Sequence, residues 1–131
     1  MPFDIRVESK TEGVYFVTLD GRLDTGTYML AEKKLMPLAS GPAKVMLFNL
    51  AKLEYISSMG LRVILKVRKA IDAKKGSVVI TNVQPQIQKV FEIANALPAQ
   101  SIFASVEEAD RYLDRMQALA LEKQRLPTKP L

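Results

Sequence analysis

A nearly continuous apolar run, Val45-Met46-Leu47-Phe48-Asn49-Leu50, gives way within a few residues to Tyr55-Ile56-Ser57-Ser58-Met59-Gly60-Leu61 and then to a helical pattern. Such a run suits a central strand covered on both faces, because the alternation of apolar and polar residues is lost when neither face meets water. Behind it, Gly60, Ile64, Val67 and Ile71 recur at steps of four, three and four residues, with Val63 and Ala70 widening the stripe. Arg62, Lys66, Arg68 and Lys69 fall largely off that stripe, the pattern of a helix lying on a sheet. Ser57 and Ser58 stand at the start of this helix, where a serine oxygen accepts from one of the N–H groups left unpaired in the first turn, and either serves as the cap.

The flanking segments extend the same architecture. Phe3, Ile5 and Val7 alternate with charged residues as in a half-buried strand, Thr11-Glu12-Gly13 supplies a turn, and Val14 to Leu19 reads as the second strand of a hairpin. Asp20 to Thr25 leads out of it, with Asp24 or Thr25 as the cap of a helix through Leu30, Ala31 and Leu35 that Pro37 and Ser40-Gly41-Pro42 bring to an end. The Ser57-Ser58 helix should close at Lys74-Lys75-Gly76, followed by a short strand from Ser77 to Asn82. Pro85 suits the first turn of a further helix carrying Ile87, Val90, Phe91 and Ala94, which Pro98 closes. Ile102-Phe103 is predicted as a short last strand, and Ser105 with Glu108 as a capping box for a helix bearing Val106, Ala109, Leu113, Met116 and Ala120. The expected fold is α/β: a four- to five-stranded, mainly parallel sheet with an N-terminal antiparallel hairpin, covered by about four helices. Residues 1–121 form one domain in this reading, and 122–131, with two prolines and little apolar content, a flexible basic tail.

Composition narrows the chemistry. The 131 residues include neither cysteine nor histidine, which removes thiolate and imidazole metal ligands, disulfides, the Ser-His-Asp triad and the Cys-His pair. No glycine-rich nucleotide loop is present, and Ser57 and Ser58 do not sit in a Gly-x-Ser-x-Gly elbow, so an enzyme is not expected, nor a cofactor or metal. The net charge of +5 is spread along the helices and the tail, without a basic block or basic-aromatic interleaving, and reads as a solvated surface rather than a nucleic-acid site. No apolar stretch is long enough to span a bilayer and no signal core follows Met1, so neither membrane insertion nor secretion is indicated and a cytoplasmic location is expected.

Three stretches resemble the STAS domain family, the module shared by sulphate transporters and bacterial anti-sigma factor antagonists. Gly21-Arg22-Leu23-Asp24 is similar to the family's Gly-x-Leu-Asp after the second strand. Tyr55-Ile56-Ser57-Ser58-Met59-Gly60-Leu61 is similar to its aromatic-apolar-Asp-Ser-[Ser/Ala/Thr]-Gly-Leu loop. Asn82-Val83-Gln84-Pro85 with Val90-Phe91 resembles the strand-to-helix segment that follows, and the likeness covers roughly residues 3 to 120. Ser57 and Asn49 stand where the family commonly has aspartates, and Met59 where it has a small residue.

The resemblance implies a regulatory binding module of the stand-alone antagonist type. A partner serine kinase that doubles as an anti-sigma factor would phosphorylate Ser58, with Ser57 as the alternative acceptor. Arg22, Asp24, Thr25, Ser57, Met59, Gly60 and Leu61 are the expected partner surface, with the start of the Ser58 helix open to solvent; a weak homodimer is a further possibility. One alternative keeps the fold without the phosphoryl switch, as an adaptor subunit of a larger, transporter-associated complex. A remoter one is a basic nucleic-acid-binding protein, supported by net charge alone.

Overall fold

The computed structural model describes residues 3–96 and 105–125. Strands β1 (Asp4–Thr11), β2 (Val14–Leu23), β3 (Val45–Ile56) and β4 (Ser77–Thr81) form one sheet in the order β1-β2-β3-β4. The hairpin β1-β2 is antiparallel, and β2, β3 and β4 run parallel. Helices α1 (Tyr28–Ala39), α2 (Ser58–Asp72), α3 (Pro85–Ala96) and α4 (Val106–Arg125) complete the expected α/β arrangement. Among the described residues no helix is long and apolar enough to cross a membrane. The strand anticipated at Ile102-Phe103 and the helix stop anticipated at Pro98 lie outside the described residues. The anticipated tail begins at Glu122, where α4 still runs on to Arg125; residues 126–131 are likewise outside.

Among the described residues the apolar run of the central strand is not covered on both faces. Burial alternates: Val17 and Leu19 of β2 and Met46, Phe48 and Leu50 of β3 are shut into the core with Ala31, Leu35, Val63, Val67 and Ile71 from the helices. On the opposite face Phe16, Leu47 and Val79 stand in register across three strands, with Phe16 41% and Val79 40% exposed. Those three shelter one another along the row, and Lys10 lies 5.4 Å over the Phe16 ring. An uninterrupted apolar run therefore marks a strand here without marking a second covering layer.

β3 extends six residues past the anticipated Leu50, to Ile56. Its pairing with β2 shifts twice, so that Thr18–Asp20 face Asn49–Lys52 and Gly21–Arg22 face Leu53–Tyr55. Each shift adds a residue to β3 and turns it, which lets Leu50, Leu53 and Ile56, three apart rather than two, all enter the core. Gly21 sits at the second shift with φ +102, a backbone conformation that side-chain-bearing residues rarely adopt.

β4 pairs β3 only as far as Asn49, which leaves the remaining edge of β3 without a strand neighbour among the described residues. Amide side chains take that role. Asn49 Oδ1 accepts from Ala51 N–H, Gln84 Nε2 donates to the Ala51 carbonyl, and Gln86 Nε2 donates to that of Glu54. Gln117 of α4 completes the series at Ile56, as described below.

Two helix boundaries differ from expectation. Pro37 lies inside α1, which continues to Ala39, because a proline in the last turn removes a single backbone donor there and Ser40 N–H still bonds the Met36 carbonyl. α1 is capped by neither Asp24 nor Thr25: Thr27 is its N-cap residue, and the Asp24 carbonyl accepts from Thr27 and Tyr28 N–H. The start of α4 matches the reading, with Glu108 N–H donating to Ser105 Oγ at 3.1 Å.

Candidate functional site

β2 and β3 end side by side, Leu23 opposite Ile56, so the chain segments that leave them lie at one end of the sheet. The first carries Arg22, Asp24 and Thr25. Arg22 and Thr25 are exposed and Asp24 is half-buried, with the Arg22 guanidinium 3.5 Å from the Asp24 carboxylate and 4.0 Å over the Tyr55 ring on the neighbouring strand. Thr27 braces this loop: its hydroxyl accepts from Asp24 N–H and donates to the Arg22 carbonyl, while Asp24 Oδ1 accepts from Gly26 N–H.

The second segment is the turn from β3 into α2. Ser57 is only 2% exposed, and its Oγ accepts from Gly60 N–H at 3.2 Å, which makes it the N-cap. Ser57 N–H in turn donates to the Leu23 carbonyl at 2.9 Å. Gly60 is buried against the same carbonyl: a Cβ there would stand 2.5 Å from the Leu23 oxygen, so the first turn of α2 reaches β2 only because position 60 has no side chain. Of the residues expected on a partner surface, Ser57 and Gly60 are thus built into the scaffold. Met59 and Leu61 are half-buried. Met59 lines a groove of about 420 Å³ between α1 and α2 with Tyr28, Glu32, Arg62, Val63 and Lys66, and Lys66 pairs with Glu32 across it.

Ser58 is the first residue of α2 and is half-buried rather than open to solvent. Asp110 of α4 reaches it. Asp110 Oδ1 accepts from Ser58 Oγ at 2.7 Å and from Ser58 N–H at 2.9 Å, so a carboxylate already holds the positive end of the helix and the hydroxyl beside it.

Two further residues of α4 dock on the same strand end. Asp114 accepts from the Tyr55 hydroxyl. Gln117, 3% exposed, mimics a strand neighbour at Ile56: its Oε1 accepts from Ile56 N–H at 3.2 Å and its Nε2 donates to the Ile56 carbonyl at 2.9 Å. Burial, followed by the hydrogen bond and charge of Asp114 and the charge of Asp110, holds the Tyr55 phenol well above its ordinary pKa, with Arg22 acting the other way. Tyr55 consequently remains a donor.

Sequence reasoning missed Asp110, Asp114 and Gln117. Their spacing of four and three puts them on one side of α4 beside the buried Leu113, which is the signal that would have found them. Polar residues at core spacing on an otherwise apolar stripe look for unpaired groups across the interface.

Residues 7–109 match the model of the STAS domain. The chain is 30% identical over 100 residues to the protein named anti-sigma factor antagonist BtrV of Bordetella bronchiseptica, an overlap that covers 76% of this chain and 86% of that one. Among solved structures, the unphosphorylated anti-sigma factor antagonist SpoIIAA superposes with a TM-score of 0.61 at 21% identity, over 87% of this chain and 98% of that one. The phosphorylated form of the Bacillus cell fate determinant SpoIIAA gives 0.62 at 22% identity, over 83% and 99%. An anti-sigma factor antagonist from Mycobacterium paratuberculosis also gives 0.62, at 17% identity over 86% and 95%.

Proposed function

This chain belongs to the STAS domain family, and within it we propose a phosphorylation-controlled antagonist that binds an anti-sigma factor with serine kinase activity, with Ser58 as the acceptor. The observation that carries the proposal is the position of Ser58. It is the only one of the two loop serines whose hydroxyl is not consumed as the cap of α2, and it stands half-buried at the sheet end where the Arg22 loop and Met59 also lie.

In the transfer step a Ser58 Oγ lone pair forms a bond to the γ-phosphorus of ATP, the bond from that phosphorus to the β,γ-bridging oxygen breaks, and ADP leaves with the electron pair. The hydroxyl proton passes to a base on the kinase. The product adds about −1.5 to −2 charges at a helix N-terminus, which the α2 dipole tolerates. At the centre of a protein contact the same dianion loses water without a prepared partner, at a cost of several kcal/mol, and each ~1.4 kcal/mol is tenfold in affinity. Phosphorylation accordingly releases the partner.

A second reading, the constitutive adaptor, is favoured by one observation: the Ser58 hydroxyl already has a carboxylate partner in Asp110. Reaction with the partner kinase and ATP, followed by phosphopeptide mapping, separates the two. Label that disappears in Ser58→Ala and persists in Ser57→Ala supports the switch, label on Ser57 moves the site by one residue, and label on neither leaves the adaptor.

A further inference from the structure

Three residues of α4 hold the turn that carries Ser58, and two of them do so through carboxylates that a new negative charge would oppose. Asp110 takes the Ser58 hydroxyl and N–H, Asp114 the Tyr55 hydroxyl, and Gln117 both backbone groups of Ile56. Glu107 and Glu108 add negative charge one turn earlier in the same helix. We propose that α4 is a strap over the phosphorylation site: with its first turns docked, Asp110 occupies the acceptor hydroxyl, and a phosphate on Ser58 drives those turns off the end of β3. This inference rests on the reading of Ser58 as the acceptor and adds the element that regulates it.

The opposition is specific. A phosphate oxygen on Ser58 competes with Asp110 for the Ser58 N–H, and the two anions would stand within hydrogen-bond distance of each other with no cation between them among the contacts of Ser58. In the unmodified chain the strap stays down because Leu113 is 3% exposed in the same buried cluster as Ile87 and Val90, and lifting it strips Ile56 of its amide partner. Closed and lifted arrangements thus differ by a few polar contacts and the apolar packing of Leu113 and Tyr112, which a dianion can outweigh. The closed strap also withholds Ser58 from an approaching kinase, since the negatively charged γ-phosphate would have to enter beside Asp110. Phosphoryl transfer therefore proceeds from the lifted form.

Phosphoserine installed at position 58 during translation tests the strap without any kinase. Amide hydrogen exchange over residues 110–117 should speed up at least tenfold relative to the unmodified chain, while β2 and β3 keep their protection. Asp110→Asn in the phosphorylated chain should restore most of the α4 protection, because an amide nitrogen donates to the phosphate where a carboxylate repels it. Should phosphoserine unfold the sheet as well, Ser58→Glu, with a single charge on a flexible stem, makes the same comparison with and without Asp110→Asn. Unchanged exchange in α4 on adding the charge, or an increase that Asp110→Asn does not reverse, overturns the strap. A kinase that labels Ser58 while α4 stays protected in the phosphoserine chain defeats the strap alone; a strap that lifts with phosphoserine in a chain no kinase labels defeats the acceptor reading alone.

Discussion

Two loops leave adjacent parallel strands at the same end of the sheet and solve the same problem by opposite means. The loop from β2 into α1 satisfies its polar groups from within: Thr27, Asp24, Gly26 and Arg22 bond one another across no more than five positions. The turn from β3 into α2 has one local bond of this kind, Ser57 to Gly60; beyond it, Ser57 N–H bonds the Leu23 carbonyl at the end of β2, and the other partners are Asp110 and Gln117, which lie 52 and 61 positions away. A loop closed on itself keeps its shape whatever the rest of the molecule does. A loop closed by a distant helix has a shape conditional on that helix, and the conditional loop is the one that carries Ser58.

Gln117→Leu should have the largest effect on this contrast. It leaves the buried N–H and C=O of Ile56 without partners, at about 2–4 kcal/mol for the two groups together, read as a lowered urea midpoint with unchanged slope. Gly60→Ala comes next, at about 1–3 kcal/mol, because the new methyl meets the backbone oxygen of Leu23 rather than a side chain that can swing aside. Ser57→Ala removes the cap of α2 and should cost about 0.5–2 kcal/mol in the same measurement.

Thr27→Val, which strips the hydroxyl from the self-contained loop, should cost about 0.5–1.5 kcal/mol. Combined with Gln117→Leu its effect should add to within ~0.5 kcal/mol, since the Thr27 hydroxyl and the Gln117 amide share no hydrogen-bond partner. A larger coupling energy would break the comparison by showing that the loops communicate.

The smallest effect at neutral pH belongs to Tyr55→Phe, and it sharpens the contrast in alkali. Because the folded state raises the Tyr55 pKa above the ordinary tyrosine value near ~10, its stabilisation is intact below that pH and is lost as the pH climbs from there towards the folded value. The wild-type thermal midpoint should therefore fall more steeply above pH ~10 than that of Tyr55→Phe. Equal slopes would mean that the phenol is not held by α4.

Much of the frame was legible in the residues. Asp24 and Thr25 are the local cap candidates for α1, yet Thr27 is the N-cap residue and makes no side-chain cap bond, while Asp24 turns its carboxylate to Gly26 N–H. Ser57 and Ser58 remained interchangeable as caps until the geometry gave the role to Ser57. A carboxylate at this turn was absent from positions 49 and 57, where Asn49 and Ser57 stand, and it arrives from Asp110 in another helix. Nothing local to the turn announces that acceptor.

By itself, the sequence determined the order of the described strands and helices, the starts of α2, α3 and α4, and the faces that α2 and α3 bury; on α4 it placed Leu113 inside but also Val106, which is exposed. Each of these is set by side-chain period, capping and proline within about one helical turn of the residues concerned. Tertiary structure alone decided that among the described residues the sheet keeps one open face, that β3 runs on to Ile56 under a cover of glutamines, and that the hydroxyl of Ser58 meets Asp110. The last two outcomes depend on which polar groups meet across 32 to 61 positions, a match made by packing geometry rather than by any local pattern at the strand end.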